Sequence, residues 1–223
     1  DQGGSYFTQT DPDPDNVTCF VAGAQIDTEH GPVAVEDLTV GTRVRIWNGG
    51  FAPLRMVLSR RIPRADLIAN EALRPVRISA GSLGLNIPAR DVLVSRQHRM
   101  LVVSSIAKRM FGRTDALIAA IRLTDLPGVF VDLPETDITY FHLLFDDHEV
   151  IFADGAPSAS FFMGEVALQT LPSASRREIS QIFPDITLPL RVDQSKHLIP
   201  KRRHQARLVA RHAKNRKTLV VAF

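Results

Sequence analysis

A lone thiol stands where it could open the peptide bond on its own N-terminal side. Cys19 is the one cysteine among 223 residues. It falls where an acidic stretch punctuated by Pro12 and Pro14 gives way to the apolar run Phe20-Val21-Ala22. A thiolate is a strong nucleophile, and the carbonyl carbon of the preceding residue, Thr18, is already beside it, so no diffusive encounter is needed. The plain alternative is a small buried hydrophobe. Its position at a boundary between linker and strand argues against that.

Two further places carry groups that move protons. Ser95-Arg96-Gln97-His98 closes the strand-like run Val92–Val94. A hydroxyl and an imidazole three residues apart on a tight turn can converge on one peptide bond, although S-x-x-H alone is a weak pattern. His142 sits among the apolar strand residues around Tyr140 and Phe141, where a hydrogen-bonded core histidine is the ordinary alternative. His148, six positions on, is a secondary candidate. Cys19, His98 and His142 could also gather round zinc, but neither C-x-x-C nor H-x-x-x-H spacing supports a metal site, and no cofactor is expected.

Taken together and in order, three blocks resemble the Hint domains, the family of Hedgehog and intein autoprocessing modules. The first is C-F-V-A-G-A-Q-I-D-T-E-H-G-P-V-A-V-E-D-L-T-V-G-T-R-V (19–44), where Thr42 replaces the family's usual Asp. The second is L-V-S-R-Q-H-R-M-L-V (93–102), similar to the T-x-x-H block with Ser95 in place of Thr. The third is T-Y-F-H-L-L-F-D-D-H-E-V-I-F-A-D-G (139–155), in which His142 falls, to within a residue, where inteins commonly carry Asp. The H-x-x-x-F-A-x-G ending looks like that of bacterial Hedgehog-like modules, which often close large and frequently exported polypeptides. A secreted or cell-surface setting is therefore compatible with the resemblance.

The resemblance covers roughly 19–165 and implies an all-β, horseshoe-shaped fold with a small helical insertion. It also implies a self-processing reaction, an N-to-S acyl shift that makes a thioester at Thr18–Cys19. In that reaction His142 relieves the thiol of its proton, His98 protonates the leaving nitrogen, and Ser95 steadies the developing oxyanion or holds the scissile bond off planarity. The substrate is the N-terminal precursor segment in cis, and water, a thiol or an amine resolves the thioester. Intein splicing is not expected. Inteins end in His-Asn before Cys, Ser or Thr, and here Gly155 is followed by A-P-S-A-S-F-F, while Asn16, Asn48, Asn70, Asn86 and Asn215 lie elsewhere. The competing reading is a catalytically decayed Hint domain kept as an interaction module of a larger protein.

The elements that must hold these residues can be read from periodicity. Residues 1–18 carry no apolar pattern and read as a flexible acidic linker. From 19 to about 165, short β-branched runs alternate with Gly and Pro, as in Val33–Val35, Arg43–Trp47, Val76–Ser79, Asp91–Ser95, Met100–Val103 and the long Thr139–Phe152. Within Ser104–Arg122, Ile106, Met110, Leu117, Ala120 and Ile121 approach helical spacing, with a break at Gly112. Residues 166–223 form an extension. A helix is expected over 173–182, opening at Ser173 or Ser175 with Glu178 as its capping partner. A basic helix is expected over 201–214, with Ala206, Val209, Ala210 and Ala213 on its apolar face.

Composition bounds the rest. Hydrophobic residues make up 44% and charged residues 23% of the chain, the balance of a folded globular protein. No intrachain disulfide is possible, and no apolar run is long enough to span a bilayer. The net charge of +3 is uneven. Residues 196–223 hold nine Lys or Arg and no acid, leaving 18 basic against 24 acidic residues before them, a net of −6. That basic segment could meet nucleic acid, but few aromatics interleave with it, which favours a solvated tail. The sequence leaves the oligomeric state open.

Overall fold

The computed structural model describes residues 18–162 and 196–220. Among them, short strands make two mainly antiparallel sheets. One is ordered β11(Val129–Val131), β7(Val76–Ile78), β8(Val92–Val94), β1(Phe20–Val21), β12(Ile138–Phe145) and β15(Phe161–Phe162), with β6(Met56–Ile62) also paired to β12. The second is ordered β10(Asp115–Ala119), β9(Arg99–Val103), β14(Ala156–Ala159), β13(Val150–Ala153), β2(Gln25–Thr28), β4(Arg43–Arg45) and β5(Phe51–Pro53), with β3(Gly31–Ala34) on β2. The fold is all-β, as expected.

Alternation along β12 makes two cores, because successive side chains leave a strand on opposite faces. Phe141, Leu143 and Phe145 enter the main core with Phe20, Ile26, Val94 and Ile118. Ile138, Tyr140 and Leu144 point the other way, into a smaller core with Cys19, Val21 and Ile62. Leu67 of α1(Arg64–Ala69) and Leu73 contribute to the smaller core. Turn chemistry fixes register. Asp154 and Gly155 both have positive φ, 49° and 76°, the pair that a tight β13–β14 hairpin needs. Asp154 is buried, takes two bonds from Arg90 at 2.9 and 2.8 Å, and accepts the Gln25 N–H at 3.0 Å.

The helical insertion is half of what periodicity suggested. α2(Ser105–Phe111) is capped by Ser104 Oγ, which accepts the Ala107 N–H at 3.1 Å, and is ended by Gly112 at φ 76°. The following Asp115–Ala119 is strand, not helix, and Ala120–Asp125 is a 3-10 turn. Pairing of that strand with β9 along five residues, all but Asp115 buried, overrides a loose helical spacing.

The C-terminal expectation also changes. α3(Arg202–Asn215) forms where a basic helix was expected, but its buried residues are Gln205, Leu208, Val209 and His212. Ala206 and Ala213 are only half-buried and Ala210 is exposed. The segment is not a free solvated tail. Its neutral face packs on α2 and the 120–125 turn, and Val220 bridges Val103 in parallel. The cations stay on the outer side. The expected helix at Ser173 or Ser175 with Glu178 lies outside the described residues. No described helix is long and apolar enough to cross a membrane.

Candidate active site

Register alone explains how distant blocks meet. Phe20 lies opposite Val94 on one side and Phe141 on the other. In antiparallel pairing the next residue outward, Cys19, therefore comes level with Ser95 and His142. The strand–turn sequence that ends β8 and begins β9 then brings His98 round to the same point.

Both polar groups of the Thr18–Cys19 peptide bond, its carbonyl and its N–H, have partners. The Thr18 carbonyl oxygen lies 2.7 Å from His142 Nδ1, and Cys19 Sγ lies 3.6 Å from the same nitrogen. The Cys19 N–H donates to Ser95 Oγ at 3.1 Å. The Cys19 carbonyl accepts the Ser95 N–H at 2.9 Å and faces His98 Nδ1 at 3.1 Å. The His98 backbone is itself tied down, its N–H on the Ser95 carbonyl at 3.0 Å and its carbonyl on the Ala120 N–H at 2.8 Å.

These contacts settle tautomers. A carbonyl oxygen has no proton to give, so both Nδ1 atoms are donors. Burial pushes His98 down to about 3, against a smaller upward pull from its Cys19 carbonyl bond and with a further small downward push from His142. Burial likewise pushes His142 down to about 4, partly offset by its bond to the Thr18 carbonyl. Both rings are neutral at pH 7, each with its single proton on Nδ1. His98 Nε2 is buried and has no hydrogen-bond partner among the described residues, as a bare lone pair would be.

The structure thus brings Cys19, Ser95 and His142 to the Thr18–Cys19 peptide bond and His98 to the next carbonyl, with partners that differ from those first expected. His142 Nδ1 points its proton at the Thr18 carbonyl instead of standing ready to receive one from the thiol. Ser95, not His98, holds the amide nitrogen. His98 rests on the next carbonyl, which keeps it within about 7 Å of that nitrogen by chain geometry. His148 is half-buried in the turn beyond Phe145, and none of these bonds involves it. Two contributors lay outside the sequence reading. Phe20 packs against the His98 ring at 4.5 Å between centroids, tilted by 63°. Tyr140, two residues before His142, anchors its hydroxyl on the Leu73 carbonyl at 2.9 Å. Phe20 could have been found from its place beside Cys19, but nothing local marks Leu73.

Two mainly antiparallel sheets thus meet at a buried cysteine just before β1, with the peptide bond on its N-terminal side held by side chains of distant strands. The Hint domain family model matches residues 18–165, and the chain belongs to that family, whose self-processing domains act in cis on their own precursor. Similar solved structures are inteins or intein-like. The bacterial intein-like domain from Clostridium thermocellum is 13% identical, covering 65% of this chain and 99% of that one with a TM-score of 0.40. The DnaB intein from Synechocystis sp. PCC 6803 is 12% identical, covering 65% and 99% with a TM-score of 0.40. The gp41-1 intein is 10% identical, covering 64% and 98% with a TM-score of 0.38. No curated protein matches the sequence.

Proposed function

We propose that the chain performs an N-to-S acyl shift at Thr18–Cys19 and ends in thioester resolution, without splicing, as a Hedgehog-like module does. The observation that carries this reading is the shared imidazole. One nitrogen, His142 Nδ1, lies 2.7 Å from the oxygen that must become an oxyanion and 3.6 Å from the sulfur that must attack.

In the proposed reaction the Cys19 Sγ–C bond to Thr18 forms while the carbonyl electrons move onto oxygen, where the His142 N–H stabilises them. As the carbon becomes tetrahedral, the Cys19 nitrogen loses amide resonance and gains a lone pair. His98 passes its Nδ1 proton from the Cys19 carbonyl to this nitrogen, and the proton that the thiol gives up is taken by the unprotonated His98 Nε2, so the ring ends neutral. The net change is transfer of the thiol proton to the new Cys19 amine. Ser95 Oγ holds the nitrogen through the change. The C–N bond then breaks, leaving Thr18 as a thioester on Cys19. Water, thiol or amine displaces the sulfur and restores the thiol. The chain's organisation follows: 1–18 as the departing linker, 19–165 as the processing domain, and 166–223 as an extension.

The test is intact-mass measurement of the full chain with and without excess small thiol. The reading expects a fragment beginning at Cys19 and a thiol-capped fragment ending at Thr18. No cleavage at any thiol concentration would instead favour the decayed, interaction-module alternative.

A further inference from the structure

The strand that feeds the catalytic turn has an edge, and the C-terminal segment covers it. β10 is the terminal strand of its sheet, paired on one side only, with β9. Its outward N–H groups are buried and need acceptors. The Leu117 N–H finds the Leu198 carbonyl at 2.8 Å, and the Ala119 N–H finds Gln205 Oε1 at 3.1 Å. Both acceptors come from residues 196–220, beyond the 18–165 span of the family match.

Gln205 is a costly choice for a buried helix face that it shares with Leu208, Val209 and His212. It is 1% exposed, and burying an amide is unfavourable unless both its ends are bonded. Here both are: Oε1 takes the Ala119 N–H and Nε2 donates to the Pro200 carbonyl at 2.8 Å. What it holds is one residue from the catalytic turn. The Ala120 N–H is the donor that fixes the His98 carbonyl at 2.8 Å, and the Ile121 N–H fixes that of Arg96 at 2.9 Å. Ala119 is also the β10 partner of Arg99, the residue after His98.

We propose that residues 196–220 are part of the processing site and that Gln205 is a positioning residue for His98, acting through Ala119 and Ala120. This rests on the acyl-shift reading for its consequence but not for its geometry. The side chain of His98 must travel from one atom of Cys19 to another, so its backbone has to stay fixed, and Gln205 pins the strand end that fixes it. A chain lacking residues 196–220 has an open β10 edge and an incomplete site, so processing follows synthesis of that segment.

Three variants of the full chain test this. Gln205→Met fills the same space but bonds neither Ala119 nor Pro200. Gln205→Glu keeps an acceptor for the Ala119 N–H. Leu208→Ala loosens α3 one turn away without touching that bond. Two readouts are taken below the unfolding temperature of every variant: the first-order rate of thiol-induced cleavage at saturating thiol, and the His98 imidazole resonances. Gln205→Met is expected to move the His98 resonances and slow cleavage by about tenfold, since small misplacements of a reacting group are expensive. Gln205→Glu should recover most of the rate. Leu208→Ala should melt earlier yet stay within about twofold of wild type, because it is not coupled to the site. If Gln205→Met fails to fold, Gln205→Ala, which also lacks the Ala119 acceptor, takes its place with the same expected slowing and His98 shift, and Leu208→Ala serves as the equally truncated control. Wild-type rate and unmoved resonances in Gln205→Met, or equal slowing by Leu208→Ala, would overturn it. If the wild-type chain does not cleave at all, the proposed reaction fails, while the His98 resonances still decide whether Gln205 positions that ring.

Discussion

At the scale of single residues, the Thr18–Cys19 peptide is held by groups whose substitution should separate their work. Cys19→Ala removes the only nucleophile and should abolish thiol-induced release completely, read by mass. Ser95→Thr should keep most of the activity, because the hydroxyl can still accept the Cys19 N–H, whereas Ser95→Ala leaves that donor unbonded in a buried site. His142→Ala should cost roughly 10²–10³ in rate, the scale for loss of one oxyanion donor. Raising the pH towards the ordinary thiol range of about 8.5 should not restore it, since hydroxide replaces a missing base and not a missing donor. Recovery of His142→Ala in alkali would return the role of thiol base to this histidine and refute the carbonyl-donor assignment.

Elements set the tolerance for such chemistry. β1 is only two residues long, yet it lies between β8 and β12, so that one register fixes Cys19 against both of its neighbours. The β13–β14 hairpin depends on a buried carboxylate. Asp154→Ala would strip Arg90 of its partner and leave the Gln25 N–H without its acceptor, a loss of about 2 kcal/mol that urea unfolding would register as a lower midpoint at unchanged slope. The C-terminal closure depends on a close approach. A Cβ on Gly84 would stand 2.6 Å from the Val220 carbonyl oxygen, and the Leu219 and Val220 N–H groups both reach the Leu83 carbonyl, at 2.9 and 3.0 Å. Gly84→Ala should therefore raise hydrogen exchange at Leu219 and Val220 before it affects the β1–β12 pairing.

The molecule as a whole should be sensitive to acid. His98 and His142 are held near 3 and 4 from an ordinary 6.5, and burial also lowers His204 and His212. Below pH 6.5 the unfolded chain binds protons that the folded chain refuses, so stability is fullest above that value and falls as pH drops towards 4. Glu149 and Asp27, both raised by burial, oppose this as the pH falls, but they are two groups against four histidines. The melting temperature should decline steadily from pH 7 to pH 4, and His142→Gln should flatten the decline. An unchanged slope in that variant would mean that His142 is not held neutral by the fold.

The sequence by itself determined the class of fold and the candidates for chemistry. Alternation of β-branched residues with Gly and Pro is a local signal, and so are Ser104 before a helix and Gly112 after it. Cys19, Ser95, His98 and His142 stood out by residue type and place within blocks that resemble Hint domains. Only the tertiary structure decided which atom each would face, because hydrogen-bond partners 76 to 124 positions apart follow from strand register and leave no trace in local pattern. For the same reason Asp115–Ala119 became strand and the buried face of α3 turned towards Gln205 and His212. Loose helical spacing and an alanine stripe are weak local preferences, and a buried sheet edge whose N–H groups must find acceptors outweighs them.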